Sequence, residues 1–246
     1  MSALGLCLAD FLSRFGSEFP LRDSGELPPR FRGGFLQQAS YLSRLASGSA
    51  CRSVYGGYVI WGRVPELAGT SDEFAIPIPY EVHPAFKGMK DAILVVNSKE
   101  KMISSRAGHS LMDGHPYAEA RYRMAMSNLL DLSVALRSGD LAEFARITES
   151  EALNLHALMM SSHPSYLLIE PNTLNIVNAV RLFRKETKIP VCFTLDAGPN
   201  VHLLYPEENA AIIRTWIDEE LVKFCEREKW IDDGIGEGPE KLKIES

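Results

Sequence analysis

The sequence predicts an α+β fold, and three observations predict it. Two long amphipathic stretches, Tyr117 to Leu136 and Leu141 to Met160, run back to back, parted only by the breaker Ser138-Gly139-Asp140. Lys90 to Asn97 (Lys-Asp-Ala-Ile-Leu-Val-Val-Asn) is rich in β-branched residues and reads as a buried strand. Val191 to Leu195 and Val201 to Tyr205 flank a short turn holding Gly198-Pro199-Asn200, the pattern of a hairpin. Strands and hairpins packed by paired helices describe α+β.

Each element follows from its pattern. Met1 to Phe15 places Leu4, Leu8, Phe11, Leu12 and Phe15 on one helical face, with Ser2 as its one cap candidate. Gly16 to Gly34 scatters Pro20, Pro28 and Pro29 among charges and reads as an exposed loop. Phe35 to Ala46 is a helix with Leu36, Ala39, Leu42 and Leu45 on one side. Val54 to Trp61 reads as a strand, and its Gly56-Gly57 pair marks a close backbone approach or a bulge. Phe74 to Tyr80 is a short strand broken by Pro77 and Pro79. Pro171 to Glu186 is a helix with proline at its start. Glu208 to Glu226 reads as the last long helix, and Trp230 to Ser246 as a surface strand or loop.

Composition sets bounds. A chain of 246 residues is one large domain or two small ones, and 46% hydrophobic residues suffice for a core. Net charge is −6, from 26 basic and 32 acidic residues, so no global basic field invites nucleic acid. No apolar run approaches the length of a membrane span. Cys7, Cys51, Cys192 and Cys225 show no metal-ligand or CxxC spacing and read as free thiols of a reducing cytoplasm. His109, His115, His156 and His163 lack ligand spacing and read as surface or helix-packing residues.

Two turns carry the chemistry. Ser47-Gly48-Ser49-Ala50-Cys51-Arg52-Ser53 gathers three hydroxyls, a glycine and a fixed positive charge. Glycine lets backbone N–H groups approach an anion, and Arg grips a carboxylate or phosphate with two parallel bonds. Arg52 beside Cys51 is expected to lower that thiol's pKa, but no partner base marks it as a nucleophile. Thr194-Leu195-Asp196-Ala197-Gly198-Pro199-Asn200 puts an acid on a sharp turn after a strand. Ser98 to Arg106 mixes bases and hydroxyls and is a candidate phosphate loop. Taken singly, each is an ordinary turn or solvated loop; their joint occurrence is what points to a site.

Together, SGSACRS and TLDAGPN resemble the diphosphomevalonate decarboxylases of the GHMP kinase superfamily, which carry a GSGSACRS-like loop and a later TFDAGPN-like turn. The resemblance implies a GHMP-kinase-like fold, with residues 1–89 as the rear part of the N-terminal domain and 90–246 as a ferredoxin-like C-terminal domain. Met1-Ser2-Ala3-Leu4-Gly5-Leu6 resembles the helix that follows the family's GxASS phosphate loop. A preceding segment, on the order of a hundred residues, with that loop and an active-site lysine, is therefore expected in front. The implied reaction is ATP-dependent decarboxylation of mevalonate 5-diphosphate to isopentenyl diphosphate. Asp196 and Arg52 match the family's catalytic residues. Ser47 and Ser49, with Arg52, match substrate-binding positions, and Ser104 and Ser105 match its serine-containing loop. ATP and Mg²⁺ are the implied cofactors, the metal resting on nucleotide phosphates, with no cofactor-binding residue assigned. A small anionic substrate and a homodimer are the implied partners. The alternatives are a non-catalytic remnant or interaction subunit, a related small-molecule kinase, and a phosphomevalonate decarboxylase.

Overall fold

A computed structural model describes residues 34–99, 108 and 110–240. The expected helix from Met1 to Phe15, the proline-rich loop up to residue 33, Cys7, Ser104, Ser105 and His109 lie outside the described residues. The chain divides into two compact units. One contains the described residues of Met1–Glu81 and Ile235–Ser246; the other is Val82–Gly234.

In the first unit, helix α1 (Phe35–Ala46) leads into a 3₁₀ turn, Gly48–Val54. Strands β1 (Val59–Trp61) and β2 (Ala75–Pro77) then pair antiparallel, with Ile60 opposite Ile76. Strand β1 is shorter than the Val54–Trp61 expectation. Val54 closes the 3₁₀ turn, and Gly57 takes a positive φ of 68°, so the extended backbone begins only beyond them. The glycine pair does mark a close approach. The Gly57 N–H donates to Gly236 O at 2.8 Å, and a Cβ on Gly56 would lie 2.3 Å from Glu237 O. Ala39 and Val54 form a small core, with Leu42 and Tyr55 packed against it.

The second unit is a four-stranded antiparallel sheet with helices. Its elements are β3 (Met89–Leu94), α2 (Ala118–Ser138), α3 (Leu141–Ser161), α4 (Pro171–Thr187), β4 (Cys192–Leu195), β5 (Val201–Pro206), α5 (Ala210–Trp216) and β6 (Trp230–Gly234). The sheet order is β4-β5-β3-β6. With a helical crossover between β3 and β4, a hairpin from β4 to β5, and a second crossover to β6, this is the ferredoxin-like topology. The α+β expectation holds, and so does the β4–β5 hairpin, in the register Phe193 opposite Leu203.

The core lies on one face of the sheet. Ala92 and Leu94, Phe193 and Leu195, and Val201, Leu203 and Tyr205 alternate inward along their strands. Ile176, Val177 and Val180 of α4 meet them there, as do Ile213 and Ile217. Phe193, Leu203, Ile176 and Ile213 are fully buried, each side chain contributing about 1.5–3 kcal/mol. Helix α2 stops at Gly139 (φ 83°), and the Asp140 carboxylate caps α3 by accepting from Ala142 N and Glu143 N.

The last long helix is not continuous. A 3₁₀ turn (Glu207–Asn209), α5, a π turn (Ile217–Leu221) and a further 3₁₀ turn (Val222–Phe224) replace the single helix expected over Glu208–Glu226. The reason is spacing. Ile213, Ile217 and Leu221 recur every four residues, and an α-helix rotates such a series by about 40° per step. The wider π turn brings all three onto the core, where each is at most 1% exposed. Strand β6 ends the unit as an edge strand with Ile231, Asp232 and Asp233 exposed, which is why its sequence reads as surface.

Candidate active site

The Ser47–Ser53 turn is built by the end of α1. Ser47 turns extended (φ −153°, ψ 122°) while its N–H still donates to Ser43 O at 3.0 Å, which stops the helix. The Ala50 N–H then donates to Ser47 O at 3.0 Å and tightens the chain into 3₁₀ geometry. At three residues per turn, Cys51 and Val54 share the inner face, 0% and 1% exposed, while Ser49, Arg52 and Ser53 point outward. A plain loop was expected; the apolar pair three residues apart is the signal for the tighter turn.

Ser40, fully buried on α1, fastens this turn. Its hydroxyl donates to Cys51 O at 2.8 Å and accepts from Ala75 N at 2.8 Å, joining turn and strand β2 through one oxygen. Gly48 lies against Trp61, where a Cβ would come within 2.8 Å of the ring. Trp61 is itself held, its Nε1 donating to Asp72 O at 3.0 Å. The Arg52 guanidinium makes no hydrogen bond or ion pair among the described residues. Among the described residues, the turn therefore presents an unpaired cation and hydroxyls from a fixed backbone. Cys51 corrects one expectation. Burial pushes its thiol pKa up, outweighing the lowering by Arg52 and Arg44, so it stays a neutral, packed thiol.

Asp196 sits on the β4–β5 turn of the other unit, with its side chain exposed. The backbone beneath it is fixed from three sides. His156 Nε2 of α3 lies 3.0 Å from Asp196 O, and the Gly198 N–H donates to the same carbonyl at 2.7 Å. Thr173 Oγ1 of α4 donates to Pro199 O at 2.6 Å. Asn97, just past β3, donates its N–H to Asn200 Oδ1 at 3.1 Å and its Nδ2 to Glu170 Oε1 at 2.7 Å. Glu170 and Thr173 also form the capping box of α4. A mobile acid would lose its aim with every backbone fluctuation; this one is anchored by its main chain and, among the described residues, its carboxylate has no hydrogen-bond partner.

A second polar pair lies in the sheet. His202 Nδ1 of β5 is 2.9 Å from Asp91 Oδ2 of β3. The hydrogen bond to Asp91 holds the imidazole pKa above its ordinary value, and the charges of Asp91, Asp196 and Asp233 act in the same direction. Among the described residues no group of three His, Cys, Asp or Glu side chains is placed to hold a metal ion, and no helix is long and apolar enough to cross a membrane.

The structure thus brings Ser47, Ser49 and Arg52 onto one turn and sets Asp196 on another. Sequence reasoning did not single out Ser40, Asn97, Thr173 or Asn200. It read His156 as a surface or packing residue, and it is indeed packed. The available signal was a polar residue on an otherwise buried helix stripe with Ala145, Ala152 and Met159.

Comparison with known proteins decides the family. Residues 92–238 match the mevalonate 5-diphosphate decarboxylase C-terminal domain, and residues 35–74 match the diphosphomevalonate decarboxylase-like N-terminal domain. The chain belongs to this decarboxylase family. It is 35% identical over 186 residues to the diphosphomevalonate decarboxylase of Eremothecium gossypii, covering 72% of this chain and 46% of the relative. It is 28% identical over 183 residues to the human diphosphomevalonate decarboxylase, covering 72% of this chain and 44% of that one. The chain spans about half the length of the curated relatives it matches. Among solved structures, a mevalonate diphosphate decarboxylase from Legionella pneumophila superposes with a TM-score of 0.72 at 29% identity, over 94% of this chain and 64% of that one. A structure described as MDDEF in complex with MVAPP, AMPPCP and magnesium gives 0.70 at 28% identity, over 81% and 58%. The GHMP-kinase-like fold expected of the decarboxylase family is the fold observed.

Proposed function

We propose that this protein takes part in the ATP-dependent decarboxylation of mevalonate 5-diphosphate to isopentenyl diphosphate, with Asp196 and Arg52 as its catalytic residues. Asp196 orients the tertiary hydroxyl and accepts its proton as the oxygen attacks the γ-phosphorus of ATP, the bond from that phosphorus to the β–γ bridging oxygen breaks, and ADP departs with its electron pair. The phosphorylated oxygen then leaves as phosphate with its bonding electrons. The bond to the carboxylate breaks, carbon dioxide departs, and that electron pair becomes the new carbon–carbon double bond. Arg52 holds the carboxylate by its two-pronged guanidinium, and Ser47 and Ser49 bind the substrate beside it. Ser104 and Ser105 are assigned to the diphosphate. ATP and Mg²⁺ are assigned as cofactors because the similar chain called MDDEF is described in complex with AMPPCP and magnesium. The described residues supply no metal-ligand cluster, so no step is assigned to the metal. Residues 1–89 and 90–246 are assigned to the rear of the N-terminal domain and to the C-terminal domain. The buried free thiols of Cys51, Cys192 and Cys225 support a reducing, cytoplasmic setting, and a homodimer is the assembly that belongs to this reading.

What supports the reading most is Asp196, an exposed carboxylate on a turn whose main chain is held by His156, Thr173 and Asn97. Asp196→Asn keeps that turn's backbone bonds and removes the base. Carbon dioxide and phosphate release should fall by about 10²–10⁴-fold. Arg52→Lys should reduce carbon dioxide release by at least about tenfold, because a point charge cannot replace the fork. Phosphorylated substrate accumulating without carbon dioxide from the wild-type protein would identify a kinase instead.

A further inference from the structure

His156 is 1% exposed near the end of α3, on the stripe otherwise formed by Ala145, Glu149, Ala152 and Met159. A buried imidazole is costly unless its polar atoms are used. One is: Nε2 lies 3.0 Å from the main-chain oxygen of Asp196. A carbonyl oxygen only accepts, so Nε2 carries the hydrogen and donates. Nδ1 has no partner among the described residues, so this single bond fixes the tautomer. Burial lowers the imidazole pKa, in keeping with a neutral ring. The same Asp196 oxygen accepts from Gly198 N at 2.7 Å. Two donors thus converge on the carbonyl of one residue, one from inside its turn and one from a helix forty positions earlier in the chain.

Thr173 and Asn97 hold the far side of the turn, at Pro199 and Asn200. Neither reaches Asp196. Of the long-range bonds given to this turn, the one from His156 is the one that fixes the peptide directly following the Asp196 side chain. Rotation of that peptide would swing the Cα–Cβ direction and redirect the carboxylate without unfolding the turn.

We propose that His156 is a positioning residue for Asp196, setting the aim of its carboxylate through the hydrogen bond from Nε2 to the Asp196 carbonyl. The inference rests on the catalytic reading of Asp196. It assigns His156 no contact with substrate and no proton transfer. Its consequence for the reaction is specific: loss of the donor changes the reactive geometry while leaving substrate binding by other groups in place.

The test uses the full-length protein with His156→Leu, which substitutes an apolar side chain of similar bulk, and His156→Gln, which restores an N–H donor. Two readouts are taken: steady-state carbon dioxide release, and hydrogen exchange of the amides at Ala197 and Gly198. The inference predicts that His156→Leu lowers kcat by about 10–100-fold with KM changed less than about threefold, since misaimed groups cost rate rather than affinity. It also predicts faster exchange at Gly198 in the Leu variant, and recovery of both properties in His156→Gln. Wild-type kcat in His156→Leu overturns it, as does an equal loss in both variants. If His156→Leu does not fold, His156→Gln decides alone: near-normal kcat supports the inference and a loss of tenfold or more overturns it. If the wild-type protein releases no carbon dioxide, the decarboxylase reading fails. Gly198 exchange then judges the positioning role by itself, and an unchanged rate in His156→Leu overturns that too.

Discussion

A methyl group on Gly48 would meet the Trp61 ring at 2.8 Å, and Trp61 has little room to give because its Nε1 is tied to Asp72 O. Gly48→Ala should therefore cost about 1–3 kcal/mol of stability, read as a lower urea midpoint at unchanged slope. The residue was visible in the sequence as part of a Ser/Gly-rich stretch, but its reason was not. Glycine there was expected to open the backbone to an anion; the structure adds that its missing side chain admits an indole. Arg52 and Asp196 were legible because rare residue strings surround them. Ser40 and His156 were not, because each acts through a main-chain atom distant in sequence, and no local pattern encodes such a bond.

At the scale of elements, two cross-links join helices and strands by charge. Glu149 of α3, with a side chain 7% exposed, receives Arg184 of α4 at 2.5 and 3.1 Å, and Arg184 also donates to Val191 O at 2.6 Å. Glu149→Ala would leave the partly exposed Arg184 guanidinium with Val191 O as its remaining hydrogen-bond partner, at a cost of about 1–3 kcal/mol, measurable by chemical denaturation. The His202–Asp91 pair between β5 and β3 makes a prediction in pH. The folded-state pKa of His202 lies above the ordinary 6.5, so its contribution is fully present below that value and is lost as pH rises through the folded pKa. The stability difference between wild type and His202→Gln should thus be greatest in mildly acidic buffer and shrink toward alkaline pH. A difference that is flat with pH would refute the charged pairing. Helices α1 to α4 and the β4–β5 hairpin were legible from periodicity and breakers. The broken last helix was not, since the four-residue spacing of Ile213, Ile217 and Leu221 satisfies a helical pattern while demanding a wider turn. Strand β1 lost its first half because a glycine pair and a 3₁₀ turn compete with extension, which composition alone does not reveal.

At the scale of the whole molecule, the α+β class and the β4–β5 hairpin were legible in short apolar runs, whereas the ferredoxin-like topology was expected from the family resemblance alone and rests on the long-range pairings of β3 with β5 and β6. What the sequence could not express was order within the sheet. Central β3 and edge β6 look unlike in composition because one is flanked on both sides and the other on one. The family match spans both stretches that carry the candidate residues, Ser47–Ser53 and Asp196. The account's central claim is that Asp196 is the base of a decarboxylation. The most direct test is to supply the full-length protein with ATP, Mg²⁺ and mevalonate 5-diphosphate labelled at its carboxylate, and to count labelled carbon dioxide against phosphate released. The account predicts one carbon dioxide per phosphate from the wild type and a loss of about 10²–10⁴-fold in Asp196→Asn, with the variant's thermal midpoint unchanged. Carbon dioxide release from Asp196→Asn at the wild-type rate would contradict it.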